Sequence, residues 1–146
     1  MNTFEIFFIL QVALRIFEPS EICSKRLQKV NFSVTEAIES AVEVAELIEK
    51  TRTNESFNLL YDDCVQQCTT LDLDPPTLPR PKKQPKRLND GAQSHNFADP
   101  RSRCRQQYFE ILDTTATAIR VRSRFEQEGF KVCHQIEKVG PTNDGS

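Results

Sequence analysis

The sequence predicts an all-α fold, on three observations. Apolar residues recur at spacings of three and four over 34–48 and again over 57–71, the period of one helix face. Helix-start signatures, Ser33-x-x-Glu36 and Asp99-Pro100, stand at the head of two long segments. Glycine numbers only four in 146 residues, and no pair of strand-like runs joined by a turn occurs, which argues against a sheet.

The first element is the apolar run Phe4 to Phe17, FEIFFILQVALRIF, whose apolar residues cover nearly every face of a helix. A helix apolar all round belongs inside a larger assembly. The run also resembles a signal peptide. Glu5, however, occupies the place of the positive n-region, Gln11 and Arg15 interrupt the apolar core, and no small-x-small cleavage site precedes Pro19. It is too short and too charged for a membrane span, which needs about 20 apolar residues. Pro19 is expected to end this helix, leaving Ser20 to Lys29 as one or two separate turns.

The second helix opens on Ser33 with Glu36 closing a capping box. Its stripe is Val34, Ala37, Ile38, Ala41, Val42, Ala45 and Ile48, and Glu36, Glu39, Glu43, Glu46 and Glu49 fill the other faces. Asn54 is the expected N-cap of the third helix, with Phe57, Leu60, Tyr61, Cys64, Val65, Cys68 and Leu71 as its stripe. The short break between the two predicts a helical hairpin with its apolar faces together.

Residues 73–98 change character. Pro75, Pro76, Pro79, Pro81 and Pro85 exclude a helix interior, and Arg80, Lys82, Lys83, Lys86 and Arg87 place five positive charges in eight positions. The expectation is an extended, Pro-rich, basic linker. Asp99 then caps a long helix with Pro100 at its first position, carrying Tyr108, Leu112, Thr115 and Ile119 on one face. Gly129 is expected to break it, with Phe130, Val132 and Ile136 on a short terminal helix and a frayed tail after it. The predicted organisation is therefore 1–72, an apolar helix and acidic hairpin; 73–98, the linker; 99–139, the long and short helices; and 140–146, a disordered tail.

Composition narrows the function classes. The chain is 38% apolar and 27% charged, with a net charge of −2, which excludes a uniformly basic protein. A mean hydropathy of −0.51 excludes a polytopic membrane protein. Residues 1–72 hold 12 acidic and 6 basic residues, while 73–146 hold 9 and 13, so an acidic half precedes a basic one. Five cysteines without tight spacing, Cys23, Cys64, Cys68, Cys104 and Cys133, read as thiols in a reducing compartment rather than a disulfide framework.

Catalytic chemistry finds little support. Cys64 and Cys68 share a helix face, with Cys104 and Cys133-His134 as candidate additions, but zinc-knuckle spacing is missing and small core residues are the better reading. Cys133 and His134 are adjacent, the wrong geometry for a nucleophile and its base, and His95 lies in a polar loop segment. Asp62-Asp63 and Asp72-x-Asp74 have no phosphate loop or metal motif around them. No enzyme activity, metal or cofactor is expected. The strip Arg80, Lys82, Lys83, Lys86 and Arg87 is the strongest local signal, open to three readings: nuclear import, phosphate contact with nucleic acid, or a solvated linker. Arg101, Arg103 and Arg105, then Arg120, Arg122 and Arg124, alternate along the last helix. Residues two apart point some 200° apart, so they form no continuous stripe.

Taken together, several pieces resemble the hAT-type transposase relatives, in particular the transposon-derived zinc finger MYM-type 1-like group. The matching pieces are Cys23-Ser-Lys-Arg-Leu-Gln-Lys29, Phe57 after Arg52, Leu78-Pro-Arg-Pro-Lys-Lys-Gln-Pro-Lys-Arg87, Tyr108-Phe-Glu-Ile-Leu-Asp113 and Arg124-Phe125, spread over residues 4–139. The resemblance implies the helical insertion of an RNase H-like domain. The family's reaction is metal-dependent DNA strand transfer through three carboxylates outside that insertion, and no residue here matches them. It also implies that Phe4 to Phe17 packs against parts of a larger enzyme. The expected function is thus a transposase-derived, non-catalytic helical fragment, nuclear, with protein association or self-association through the apolar N-terminal helix and weak DNA contact, and no membrane. Two alternatives stand beside it: a domesticated nuclear interaction module docking through the acidic helix 34–50, and a secreted helical protein if the N-terminus is cleaved.

Overall fold

The computed structural model describes residues 3–29, 31, 33–78 and 99–138. These residues form four α-helices and no strand: α1 Thr3–Leu27, α2 Val34–Lys50, α3 Asn54–Thr70 and α4 Pro100–Lys138. The fold class is all-α. The basic strip with Arg80, Lys82, Lys83, Lys86 and Arg87, the rest of the linker from 79 to 98, and the tail 140–146 lie outside the described residues.

The helix starts follow local chemistry. At α2, the Glu36 amide donates to Ser33 Oγ at 3.2 Å and the Ser33 amide donates to Glu36 Oε2 at 2.8 Å, completing the capping box. At α4, the Ser102 amide donates to Asp99 Oδ1 at 2.9 Å with Pro100 first in the helix. The α3 cap is Thr53 rather than Asn54: its Oγ1 accepts from the Ser56 amide at 3.1 Å. Thr53 adopts the extended backbone an N-cap needs, and Asn54 is the first helical residue. The α3 C-terminus closes on Asp72 at φ 54°, where the Leu73 amide bonds the Cys68 carbonyl at 2.9 Å. That pattern satisfies the last carbonyls by a left-handed turn, which Asp tolerates better than most residues.

Two expected helix ends are absent. Pro19 lies inside α1, which runs on to Leu27. Its ring removes the amide that would bond the Arg15 carbonyl, at a cost of about 3 kcal/mol. Buried Phe4, Phe8 and Val12 before it and half-buried Ser20 and Cys23 after it offset that cost. Gly129 likewise lies inside α4, so the long and short terminal helices are one helix of 39 residues. A mid-helix glycine costs only about 1 kcal/mol relative to alanine, too little to interrupt a helix already propagating on both sides.

The chain divides into two compact units, Met1–Ile16 with Arg52–Ile111, and Phe17–Thr51 with Leu112–Ser146. The first unit has an aromatic core: Phe4, Phe8 and Val12 of α1, Phe57, Leu60, Tyr61, Cys64 and Cys68 of α3, and Cys104 and Tyr108 of α4. Phe57 sits in the middle of it, with ring centroids 6.2 Å from Phe8, 5.6 Å from Tyr61 and 5.8 Å from Tyr108. The α3 stripe, expected to face α2, is therefore covered within its own unit by α1 and α4.

The second unit has a smaller aliphatic core of Val44, Ala45 and Ile48 from α2 with Leu112 and Ala116 from α4. Ser123 is buried and donates its hydroxyl to the Ile119 carbonyl at 2.8 Å. Arg120 grips Glu49 with two parallel hydrogen bonds of 2.7 Å, and Arg26 pairs with Glu43.

Candidate functional site

Three groups of residues hold the chemistry that the described residues offer. The first is a buried carboxylate. Glu5 retains 5% of its surface and projects from α1 toward α4 in the first unit. Arg103 donates from Nε at 3.1 Å and Nη2 at 2.9 Å to Glu5 Oε1, and Gln107 Nε2 donates to the same oxygen at 2.6 Å. Burial pushes the Glu5 carboxyl up, but the hydrogen bonds from Gln107 and Arg103 and the Arg103 charge outweigh it, so it sits below the ordinary carboxylate value. The donors arrive from one turn of α4, because residues 103 and 107 are four apart. This arrangement holds a carboxylate ionised and fully engaged. It suits an interhelix clamp, and a general acid or base needs the opposite.

The second group is the thiols. Cys64, Cys68 and Cys104 are buried, Cys23 is half-buried and Cys133 exposed. Burial pushes the Cys64 thiol up to about 12 and the Cys104 thiol up to about 11, and raises that of Cys68. A thiol must ionise to act as nucleophile or metal ligand, so these three behave as small apolar core residues. Among the described residues, no group of three or more His, Cys, Asp or Glu is placed to hold a metal ion. Mild alkylation of the native protein is expected to modify Cys133 first and Cys23 more slowly, with Cys64, Cys68 and Cys104 reacting only in denaturant. Rapid native labelling of Cys64, read by peptide mass, would contradict the packing.

The third group is charged surface. The alternating arginines of α4 go to separate partners, as helical geometry requires. Arg101 bonds Asn58 at 2.9 Å, pairs with Asp62 at 3.2 Å and lies over the Tyr61 ring at 5.0 Å. Arg105 bonds Asn54 at 2.8 Å and, with Arg52, lies within 6 Å of the Phe109 ring. Arg120 holds Glu49, and Arg122 pairs with Glu126. On α2, Glu36 closes the capping box, Glu43 meets Arg26 and Glu49 meets Arg120. Three of the five glutamates in the acidic face thus have a partner within the chain.

Large apolar side chains are exposed as well. On α1, Phe4, Phe8 and Val12 are buried, whereas Ile6, Leu10 and Leu14, spaced by four, are 48, 57 and 61% exposed. On α4, a groove of about 980 Å³ is lined by residues that include Ala118, Val121 and Phe125. The sequence signals the α1 row only as a helix apolar on every face. It does not signal the α4 row, because a helix break at Gly129 would divide it. No helix among the described residues is long and apolar enough to cross a membrane.

No family model matches the chain, and neither a curated protein nor a solved structure matches it.

Proposed function

We propose that the chain is a transposase-derived helical segment that works by protein association rather than catalysis, with a nuclear location through the strip Arg80, Lys82, Lys83, Lys86 and Arg87 and weak DNA contact by the same strip. The observation that carries the association is the exposed row Ile6, Leu10 and Leu14 on α1, whose opposite row is buried. Isolated apolar side chains on a surface need no explanation, but a helical row of large ones marks a place where another surface sits. The pieces that resemble the hAT-type relatives support the parentage. The Tyr108-Phe-Glu-Ile-Leu-Asp113 piece supplies core residues Tyr108 and Leu112, and Arg52 and Phe57, the other paired piece, meet it through Phe109 and Tyr108.

The parentage names a partner class for the row: the RNase H-like domain of a hAT-type transposase. The test is calorimetric titration of this chain into such a domain stripped of its own insertion. Binding is expected, and Leu10→Glu with Leu14→Glu should weaken it at least tenfold, since each leucine buried is worth about 1.5–3 kcal/mol and tenfold is about 1.4. An affinity indifferent to both substitutions removes α1 from the reading, and no binding at all removes the parentage.

A further inference from the structure

From Arg124 to Ile136 every residue of α4 is exposed, so about 20 Å of this helix stands without a covering neighbour among the described residues. A lone helix of that length is marginal in water. Along it and just before it, large apolar side chains stay wet: Val121 is 47% exposed, Phe125 70%, Val132 55% and Ile136 67%. At 100° per residue, Ala118, Val121, Gly129, Val132 and Ile136 all fall within about 40° of the line through Phe125. Their spacing reads the same in both directions from Phe125. Val121 and Gly129 lie four residues to either side, Ala118 and Val132 seven, and Thr114 and Ile136 eleven.

The charged positions beside this seam mirror one another about Phe125, with the sign reversed. Arg122 and Glu126 flank it on one edge, at about 60° and 100°, and Glu128 and Arg124 flank it on the other at the mirrored angles. We infer that α4 pairs with α4 of a second copy of this chain, antiparallel, about a two-fold axis at Phe125. In that arrangement each edge meets the same edge of the partner running in reverse. Arg122 then lies about 3 Å along the axis from the partner's Glu126, and Glu128 the same distance from the partner's Arg124. Symmetry doubles both, giving four Arg–Glu contacts around the phenylalanine, against two like-charge pairs, Glu126 and Arg124 each with its own copy, that lie farther round both helices at about 100° from the seam. A parallel pair would bring unlike edges together, setting Arg122 against the partner's Arg124 and Glu126 against the partner's Glu128. The charge pattern therefore selects the occupant and its direction, as flanking charges do in helical zippers. Arg122 and Glu126 already touch within the chain at 3.5 Å while remaining 84 and 58% exposed, so both are positioned and available. Nothing lies within 4 Å of a side chain built at Gly129, which leaves room for the partner's Val121 to approach.

This inference uses a different surface from the α1 row and stands or falls separately. Sedimentation velocity on the full chain should show a concentration-dependent dimer. Arg122→Glu with Arg124→Glu makes all four flanking positions acidic, and Glu126→Arg with Glu128→Arg makes them all basic. Each variant alone should dissociate at least tenfold more readily, and an equimolar mixture should restore the dimer as a heterodimer. In a Cys23→Ser, Cys133→Ser background, Val121→Cys chains mixed with Gly129→Cys chains should form the 121–129 disulfide across the axis in preference to 121–121. All four flanking positions are exposed, and circular dichroism confirms that the variants fold. A chain monomeric up to ~100 µM, well above a micromolar dissociation constant, overturns the inference. So does a dimer that ignores the charge variants or prefers the 121–121 link. A dimer lost on Leu10→Glu with Leu14→Glu but kept in the charge variants would move self-association to α1 and overturn it too. A monomer in which a Phe125→Cys thiol resists alkylation would show the seam covered by the chain's own segment, and the pairing of two copies would equally be overturned.

Discussion

Phe57→Ala is expected to lower the stability of the chain by about 3–5 kcal/mol. Phe57 is 1% exposed and touches three other rings: Phe8 from α1, Tyr61 from its own helix and Tyr108 from α4. Removing it forfeits the transfer energy of a large side chain and leaves a cavity that three rigid rings cannot fill by a rotamer change. It also dissolves three edge or tilted ring contacts, each worth about 0.5–1.5 kcal/mol beyond area. Proteins of this size are stable by about 5–15 kcal/mol, so the loss takes a large share. The matched control is Leu59→Ala on the same helix, 68% exposed, with an expected change within about 0.5 kcal/mol. Paired urea titrations measure both. Equal midpoints for the two variants would mean that the aromatic cluster is not the core of the first unit.

Why that cluster is only half legible in the sequence is a matter of range. The stripe of α3 and the Tyr108, Leu112 face of α4 follow from a 3.6-residue period, and the helix starts at Ser33 and Asp99 follow from side-chain chemistry within three residues. Those are local facts, and the all-α class is their sum. Which stripe covers which is not local. Phe8 and Phe57 are 49 positions apart, and nothing near either marks the other as its neighbour. Within the first unit, the α3 stripe meets the rings of α1 and α4, contacts that no local pattern in the sequence announces. Pro19 and Gly129 show the second limit. Each carries a local penalty, about 3 and 1 kcal/mol: the first is offset by packing before and after Pro19, the second by helix propagation on both sides of Gly129. The candidate strip from Arg80 to Arg87 is visible as composition and falls outside the described residues, whereas the α4 seam becomes visible only once Gly129 lies inside a continuous helix.

Glu5 carries the second large prediction, and it is the least legible residue of all. A glutamate second in an apolar run reads only as a negative charge in the place of a positive n-region, yet it is clamped by Arg103 and Gln107, 98 and 102 positions away. Glu5→Gln keeps the shape and removes the charge, leaving the Arg103 guanidinium, 30% exposed, without its anion. The expected loss at neutral pH is about 1.5–3 kcal/mol, the range for hydrogen bonds to a charged group. The same carboxylate ties stability to pH with a definite sign. Its folded value lies below the ordinary one of 4.5, so the folded state binds the proton more weakly than the unfolded chain. The stabilisation is therefore fully present above the ordinary value and is lost as pH falls through the depressed folded value. The wild-type chain and Glu5→Gln should thus differ most in urea titrations near neutral pH, and the gap should narrow as the pH falls through the depressed folded value. An Arg103→Met variant should lose the same pH-dependent part, and combining the two substitutions should cost less than their sum, because both remove one contact. A gap that stays constant from neutral to acid pH would show that Glu5 contributes packing alone and that its clamp carries no charge-dependent stability.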